Sequence, residues 1–408
     1  MYSLINETKK KNIFKEINKI RVLKYIWDYA PISRAEISKR IGLSRSTLTL
    51  ITKELIYNNI LKEIGQGNST KEGGKKPTLL DFNKDSRNII GVTIGLAKIK
   101  LAYSNIRAEI IKESEEKREL NESPNRSMEK VINLIKKLNI SNYRKLLGLG
   151  IGIPGVIDHI NGVVKFSPNL PGWKNIPIKE YLENELKEIK VFIDRETNLQ
   201  IFAEKWFGGI KSKNFITVEA GIGIGIGILI NDRICRGSNN AAGEFGHTTI
   251  LPNGSECHCG NYGCWETLST TRNVVNKAIN GIKKGVRTNI KDYEINGKIT
   301  FDSVINGYKN GDDFAKELLK DYAYWLGIGI ANIINTFDPE LIIIYGNAIQ
   351  LGALGLKTIN KVVREKALPI LKRDINIKYS DFGKEAKLIG ALGIVIKNTL
   401  SISEEHVF

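Results

Sequence analysis

The sequence predicts an α/β protein: an N-terminal winged helix-turn-helix followed by a duplicated, two-lobed α/β body. Three observations predict this. A capped helical segment broken by a tight turn fills the first 60 residues. A strand–glycine–strand texture occurs twice, in "NIIGVTIGLAKIKLAYSN" (88–105) and "NFITVEAGIGIGIGILIND" (214–232). Charge is uneven: residues 1–87 hold 18 Lys and Arg against 9 Asp and Glu, and the other 321 hold 43 against 35. With 408 residues the chain exceeds what one hydrophobic core serves. A small basic module on a nearly balanced body fits a nucleic-acid-binding head joined to something else, although a solvated basic surface would carry the same charge.

The start of the chain, "MYSLINETKKKNIFKEINK", lacks the apolar stretch of a secretory signal. The most apolar run, "GIGIGIGILI" (221–230), is too short to span a bilayer. The expectation is a cytoplasmic protein with no membrane partner. In that compartment, clustered cysteines point to metal or catalysis before disulfides.

In the head, Val22, Leu23, Ile26 and Trp27 recur at helical spacing, and "APIS" ends that helix. Ser33 and Glu36 form S-x-x-E, a capping box that satisfies two backbone donors at a helix start. The second helix is short and ends near Gly42; Ser44 caps the third. On that third helix Leu48, Ile51 and Leu55 point to a core. Ser44, Arg45, Ser46, Thr49 and Lys53 are short polar or cationic groups suited to base edges and phosphates in a major groove. Two β-like runs then flank the glycine-rich "GQGNSTKEGGKKP", a wing whose Lys75 and Lys76 suit a phosphate or minor-groove contact.

In the body, the two hairpins each open a lobe, and "LLGLGIGIPGVID" adds a strand between them. Amphipathic stretches at 127–138, 179–187 and 313–335 predict helices. The strictly alternating "GIGIGIG" is not the dinucleotide fingerprint; it fits a turn where a ligand or another backbone comes close.

The segment "GEFGHTTILPNGSECHCGNYGCWE" (243–266) holds three of the four cysteines and two of the four histidines. His247, Cys257, Cys259 and Cys264 read H-x9-C-x-C-x4-C. Three thiolates and one imidazole suit a closed tetrahedral zinc site, structural because no position is left for water. Such an ion would pin a glycine-rich loop with no core of its own; a redox or catalytic thiol is the other reading. His258 is expected to point away, and Cys235 to be a buried small side chain. Glu244 and Glu266 bracket the cluster. Paired carboxylates beside a fixed imidazole suit the several hydroxyls of a sugar, where isolated acids would only decorate a surface.

These residues resemble the ROK family of repressors, open reading frames and kinases, which has an actin-like (ribonuclease H-like) two-lobed sugar-kinase fold. "GEFGH" and "CHCGNYGCWE" match its signature and zinc site. "SPNLPGW" (167–173) matches its substrate loop, and "SRSTLTLITKEL" with "GGKKPTLLDFN" matches the DNA-binding half of its repressors. The chain looks most like the xylose-repressor branch. The resemblance implies that Asn169, Glu196, Glu244, His247 and Glu266 face a bound monosaccharide, xylose or a related sugar. It also implies operator DNA as a partner and a homodimer, with a tetramer as the alternative. The domains would be residues 1–82, residues 88–205 completed by a helix at 384–402, and residues 206–383 with the zinc loop.

Departures from the kinase pattern imply a sensor and not an enzyme; a kinase with a DNA-binding head is the alternative. Family kinases carry Asp where Thr93 stands. Leu96 replaces a glycine that approaches phosphate, and Ala97 removes a hydroxyl. Glu196 stands at the general-base Asp, as in xylose-type repressors, and its extra methylene displaces the carboxylate. "YGNAIQ" (345–350) loses a glycine on the adenosine side. Arg195 replaces an Asn, and its guanidinium would either pair with Glu196 or Glu244 or recognise an anionic sugar.

Overall fold

The computed structural model describes residues 2–67, 76–140, 145–187, 189–371 and 375–400. The head contains α1 (Tyr2–Tyr29), β1 (Ile32–Ser33), α2 (Arg34–Ile41), α3 (Arg45–Tyr57), β2 (Leu61–Gln66) and β3 (Thr78–Phe82). Each boundary has a local cause. The Ser33–Glu36 capping box forms in both directions at the start of α2. Gly42 ends that helix in the left-handed region, at φ 71°, which a side chain would strain. Ser44 caps α3 by accepting the Thr47 N–H at 3.1 Å. The strands form an antiparallel sheet in the order β1-β3-β2. Val22, Ile26, Ile37, Leu48, Ile51, Leu55, Leu61 and Leu80 fill the core beneath them. The wing between β2 and β3 is thereby framed; its tip, with Lys75, lies outside the described residues.

The body begins with β4 (Asn88–Ile94), β5 (Lys98–Asn105), β6 (Ile110–Lys117), α4 (Pro124–Lys137), β7 (Leu146–Ile153), β8 (Val156–Asp158), β9 (Val163–Phe166) and β10 (Lys174–Ile176). It continues with α5 (Ile178–Leu186), β11 (Val191–Arg195), α6 (Glu196–Trp206), β12 (Phe215–Ala220), β13 (Ile224–Ile230) and β14 (Arg233–Ile234). Last come α7 (Trp265–Leu268), α8 (Thr271–Lys283), α9 (Phe301–Lys309), α10 (Asp313–Phe337), β15 (Leu341–Tyr345), α11 (Gly352–Lys366), β16 (Asn376–Tyr379) and α12 (Ala386–Leu400).

Two five-stranded sheets result, ordered β11-β7-β4-β5-β6 and β16-β15-β12-β13-β14. In both, the first strand of the repeat lies centrally, a hairpin runs to one edge and two later strands complete the other. This is the duplication expected from the two hairpin textures. The chain divides into two compact units. One takes residues 1–151, 177–193 and 391–408, and the other 152–176 and 194–390.

In the first unit the head is joined to the β5–β6 turn. Arg107 lies 4.3 Å from the Trp27 ring centroid and 5.4 Å from that of Phe82, and pairs with Asp81 at 3.0 Å. Lys84 pairs with Glu109 at 2.6 Å alongside it. In the second unit, "LIIIY" of β15 is buried on both faces. Ile342 and Ile344 pack with α10 residues Leu326, Ile330 and Ile334. Leu341, Ile343 and Tyr345 pack with Ile201 of α6 on the other face. Among the described residues no helix is long and apolar enough to cross a membrane.

Candidate functional site

The loop after β14 is held at its far end by Trp265. That side chain is fully buried, and its indole N–H donates to the Trp325 carbonyl at 2.8 Å. The backbone fits closely around it. Gly263 has φ +66°, and a Cβ there would stand 1.6 Å from the Leu251 carbonyl oxygen. The Trp265 N–H donates to the Thr248 carbonyl at 2.9 Å, and Cys257 N–H to Asn261 O at 2.7 Å. These bonds fold the loop tightly around its four donor side chains, of which Cys257 and Cys264 are buried and Cys259 is exposed.

His247, Cys257, Cys259 and Cys264 each present a ligand atom, all within 4.8 Å of one another. Cys257 Sγ lies 3.6 Å from His247 Nδ1, and Cys259 Sγ lies 3.7 Å from Cys264 Sγ. The cluster can hold a metal ion. Burial pushes the Cys264 thiol up to about 12 and raises Cys257. The Asn261 backbone N–H lowers Cys259.

Two expectations are corrected here. His258 does not turn away. Its Nδ1 lies 3.1 Å from Glu266 Oε1 and 3.8 Å from Cys257 Sγ, because the tight Cys257–Cys259 turn swings it over the cluster. Cys235 is exposed, just beyond the two-residue edge strand β14.

Glu266 reaches back to the β12–β13 turn, where Oε2 accepts the Ile224 N–H at 3.2 Å. Glu244 begins the 3₁₀ turn Phe245–His247, so its backbone carbonyl accepts the His247 N–H at 3.1 Å. Arg195 is buried. It pairs with Glu244 at 3.4 Å and donates to the carbonyls of Ile226 and Ala242. Burial lowers its pKa, and Glu244 and Asp194 work in the opposite direction. Of the two protein carboxylates expected as partners of Arg195, Glu244 is the one it pairs with.

Glu196 goes elsewhere. Its carboxylate pairs with Lys387 of α12 at 2.9 Å, and Lys387 also lies 3.5 Å from Glu219 of β12. Asn169 is exposed at the tip of the turn fixed by buried Leu170 and Trp173, and it bonds to none of the other site residues among those described. The structure thus brings together the metal-type cluster, Glu266 and His258, joins Glu244 to them through the backbone, and pairs Glu196 with Lys387.

In the head, Arg45, Ser46, Lys53 and Lys76 are exposed. The Ser44 hydroxyl is engaged in its cap, and the Thr49 hydroxyl donates to the Arg45 carbonyl at 2.7 Å. Sequence reasoning missed Lys387, and it missed the bidentate pair of Arg236 with buried Asp194, at 3.0 and 2.6 Å. No local pattern marks either one.

The described fold and loop define a two-lobed sugar-kinase-like body carrying a DNA-binding head. The model of the ROK family matches residues 89–398, and one for winged helix-turn-helix DNA-binding matches residues 15–62. The chain belongs to the ROK family. It is 34% identical to the xylose repressor of Caldicellulosiruptor bescii over 396 residues, covering 96% of this chain and 98% of that protein. It is 31% identical to the glucokinase of Halalkalibacterium halodurans, over 74% of this chain and 92% of that one. The crystal structure of a ROK family transcriptional regulator, a homologue of the E. coli MLC protein, superposes with a TM-score of 0.82 at 26% identity. That match covers 95% of this chain and 97% of the other.

Proposed function

We propose that this protein is a transcriptional repressor controlled by a neutral monosaccharide, with xylose the first candidate. The observation that carries this is one chain holding both a winged helix-turn-helix head and the Glu244–His247–Glu266 loop. Full-length likeness to a protein named xylose repressor supports it. The winged helix would bind operator DNA as a homodimer in the cytoplasm, through Ser44, Arg45, Ser46, Thr49, Lys53, Lys75 and Lys76. Asn169, Glu196, Glu244, His247 and Glu266 would line the sugar site, and sugar binding would release the DNA. The sugar can act only by binding one conformational state more tightly than the other.

The ion we assign to the loop is zinc. A tetrahedron with Zn–S of 2.3 Å and Zn–N near 2.05 Å has S···S edges of about 3.8 Å and S···N edges of about 3.6 Å. Two of the six edges, at 3.7 and 3.6 Å, fit these values, and all four ligand atoms lie within 4.8 Å of one another. Buried thiols with raised pKa values also need a cation to become thiolates. His247, Cys257, Cys259 and Cys264 would hold the zinc, which would supply rigidity to the loop carrying Glu244 and Glu266.

Two contacts sharpen the reading. Arg195 already pairs with the Glu244 carboxylate and donates to two carbonyls, which favours a neutral sugar over a sugar acid or sugar phosphate. Glu196, at the kinase general-base position, is neutralised by Lys387. Together with uncharged Thr93 and with Leu96, this disfavours phosphoryl transfer. The test is a thermal-shift screen of the zinc-loaded protein against neutral sugars, sugar acids, sugar phosphates and ATP–magnesium. Stabilisation by xylose or another neutral sugar is expected. Stabilisation only by anionic sugars, or sugar-dependent ATP consumption, would overturn the reading.

A further inference from the structure

We propose that Leu50 is a base-reading residue of the head, and that it recognises the 5-methyl group of thymine in the major groove. The proposal rests on the DNA-binding reading above.

Helix α3 has two opposed faces. Leu48, Ile51, Thr52 and Leu55 are buried. The opposite stripe is Ser46, Leu50, Lys53 and Tyr57, at i, i+4, i+7 and i+11, which at 100° per residue spans an arc of about 60°. Leu50 is 70% exposed and Tyr57 is 90% exposed. A single exposed leucine is ordinary on a protein surface. This one is not placed ordinarily. It is the sixth residue of the helix that enters the groove, within the half that meets base edges. Exposed Arg45 and Lys53 flank it on that helix. Glu54, which lines the same groove, is neutralised by Lys15 at 3.1 Å and Lys19 at 2.7 Å, and those pairs hold its pKa below the usual carboxylate range. The surface around Leu50 is therefore apolar within a cationic frame.

The chemistry of the groove then selects the target. A leucine side chain has no donor or acceptor. Set against guanine O6 or cytosine N4 it would strip water from a polar group and return nothing. The thymine methyl is the apolar feature that a major groove offers. Exposed Phe14 shares a shallow groove with Leu50, so a second copy of the chain is the competing occupant.

The test uses the full-length protein to select duplexes from a randomised pool. Each thymine of the selected duplex is then replaced in turn by deoxyuridine, which deletes only the methyl. Wild type should lose about fourfold in affinity at one or two positions of each half-site, the worth of one buried methyl. Leu50→Ala folds normally, since alanine favours helix and the side chain is exposed. It should bind the thymine and uracil duplexes equally. Wild-type indifference to uracil at every position overturns the proposal and leaves the DNA-binding reading intact. So does a Leu50→Ala protein that keeps the wild-type uracil profile; a shift in its sedimentation would assign the groove to a contact between copies. Failure to enrich any duplex overturns both.

Discussion

Lys387 is the residue whose removal should disturb the second unit most for the least change in volume. Its ammonium faces two carboxylates, Glu196 at 2.9 Å and Glu219 at 3.5 Å. The three side chains are 28%, 21% and 24% exposed. Lys387→Met keeps the packing and deletes the charge. Breaking a fully buried pair costs about 3–5 kcal/mol. Partial access of water reduces that here to about 2–3 kcal/mol. For a unit of this size each kcal/mol shifts Tm by about 2–4 °C, so the variant should melt about 4–12 °C lower. The pH dependence gives a sharper test. Burial alone would lower the Lys387 pKa, but Glu196 and Glu219 outweigh it and the value is raised. A group raised on folding contributes fully below its unfolded value, near 10.4 for lysine, and loses that contribution only as pH climbs through the folded value. The wild-type contribution is therefore constant from about pH 5 to 9. The gap between the variant and wild type should therefore hold from about pH 5 to 9 and narrow only as pH climbs above the unfolded lysine value. Adding Glu196→Gln and Glu219→Gln should restore part of the stability. Calorimetry across that range reads all three effects. A Lys387→Met protein that melts with wild type, or with a gap that changes between about pH 5 and 9, refutes the reasoning.

Other perturbations follow from the same contacts. Cys257→Ser should lower bound zinc, measured by elemental analysis, from one equivalent to near zero and abolish the response to sugar while leaving operator binding intact; an unchanged sugar dose response counts against the loop's role. Gly263→Ala forces a Cβ to within 1.6 Å of the Leu251 carbonyl at φ +66°, so it should release zinc to a chelator at least tenfold faster than wild type, a barrier lowered by about 1.4 kcal/mol. Arg107→Ala loses its stacking on Trp27 and Phe82 and the pair with Asp81, together worth about 1–2 kcal/mol. It should make the segment joining head to body more sensitive to limited proteolysis, with sugar binding unchanged.

The head was legible because its determinants are local. A capping box spans four residues, Gly42 ends a helix through its own φ, and apolar spacing on α3 sorts core from surface. The duplication was legible because two hairpins repeat a texture, although the shared sheet order emerges only when β15 and β16 pair. The metal-type cluster was legible from spacing within 18 residues. What escaped was non-local or set by exposure. Lys387 meets Glu196 across 191 residues, and Arg236 meets Asp194 across 42. No periodicity encodes such pairs. Composition tables favour burial of cysteine, yet Cys235 follows an edge strand and stays exposed. His258 was expected outside because it stands between two ligands, but a turn that tight does not alternate its side chains as a strand would. Thr49 looked free to reach DNA, and its hydroxyl bonds back to the helix, a common fate of threonine on a helix surface.

The central claim is that one chain couples a monosaccharide to operator DNA. The direct measurement is fluorescence anisotropy of a selected operator duplex bound by zinc-loaded full-length protein, titrated with xylose and, separately, with glucose, a sugar acid and a sugar phosphate. The account predicts saturable release by a neutral sugar, without ATP, that Glu244→Gln or Glu266→Gln weakens while leaving sugar-free DNA affinity unchanged. DNA affinity that ignores every neutral sugar, or responds only to an anionic one, would contradict it.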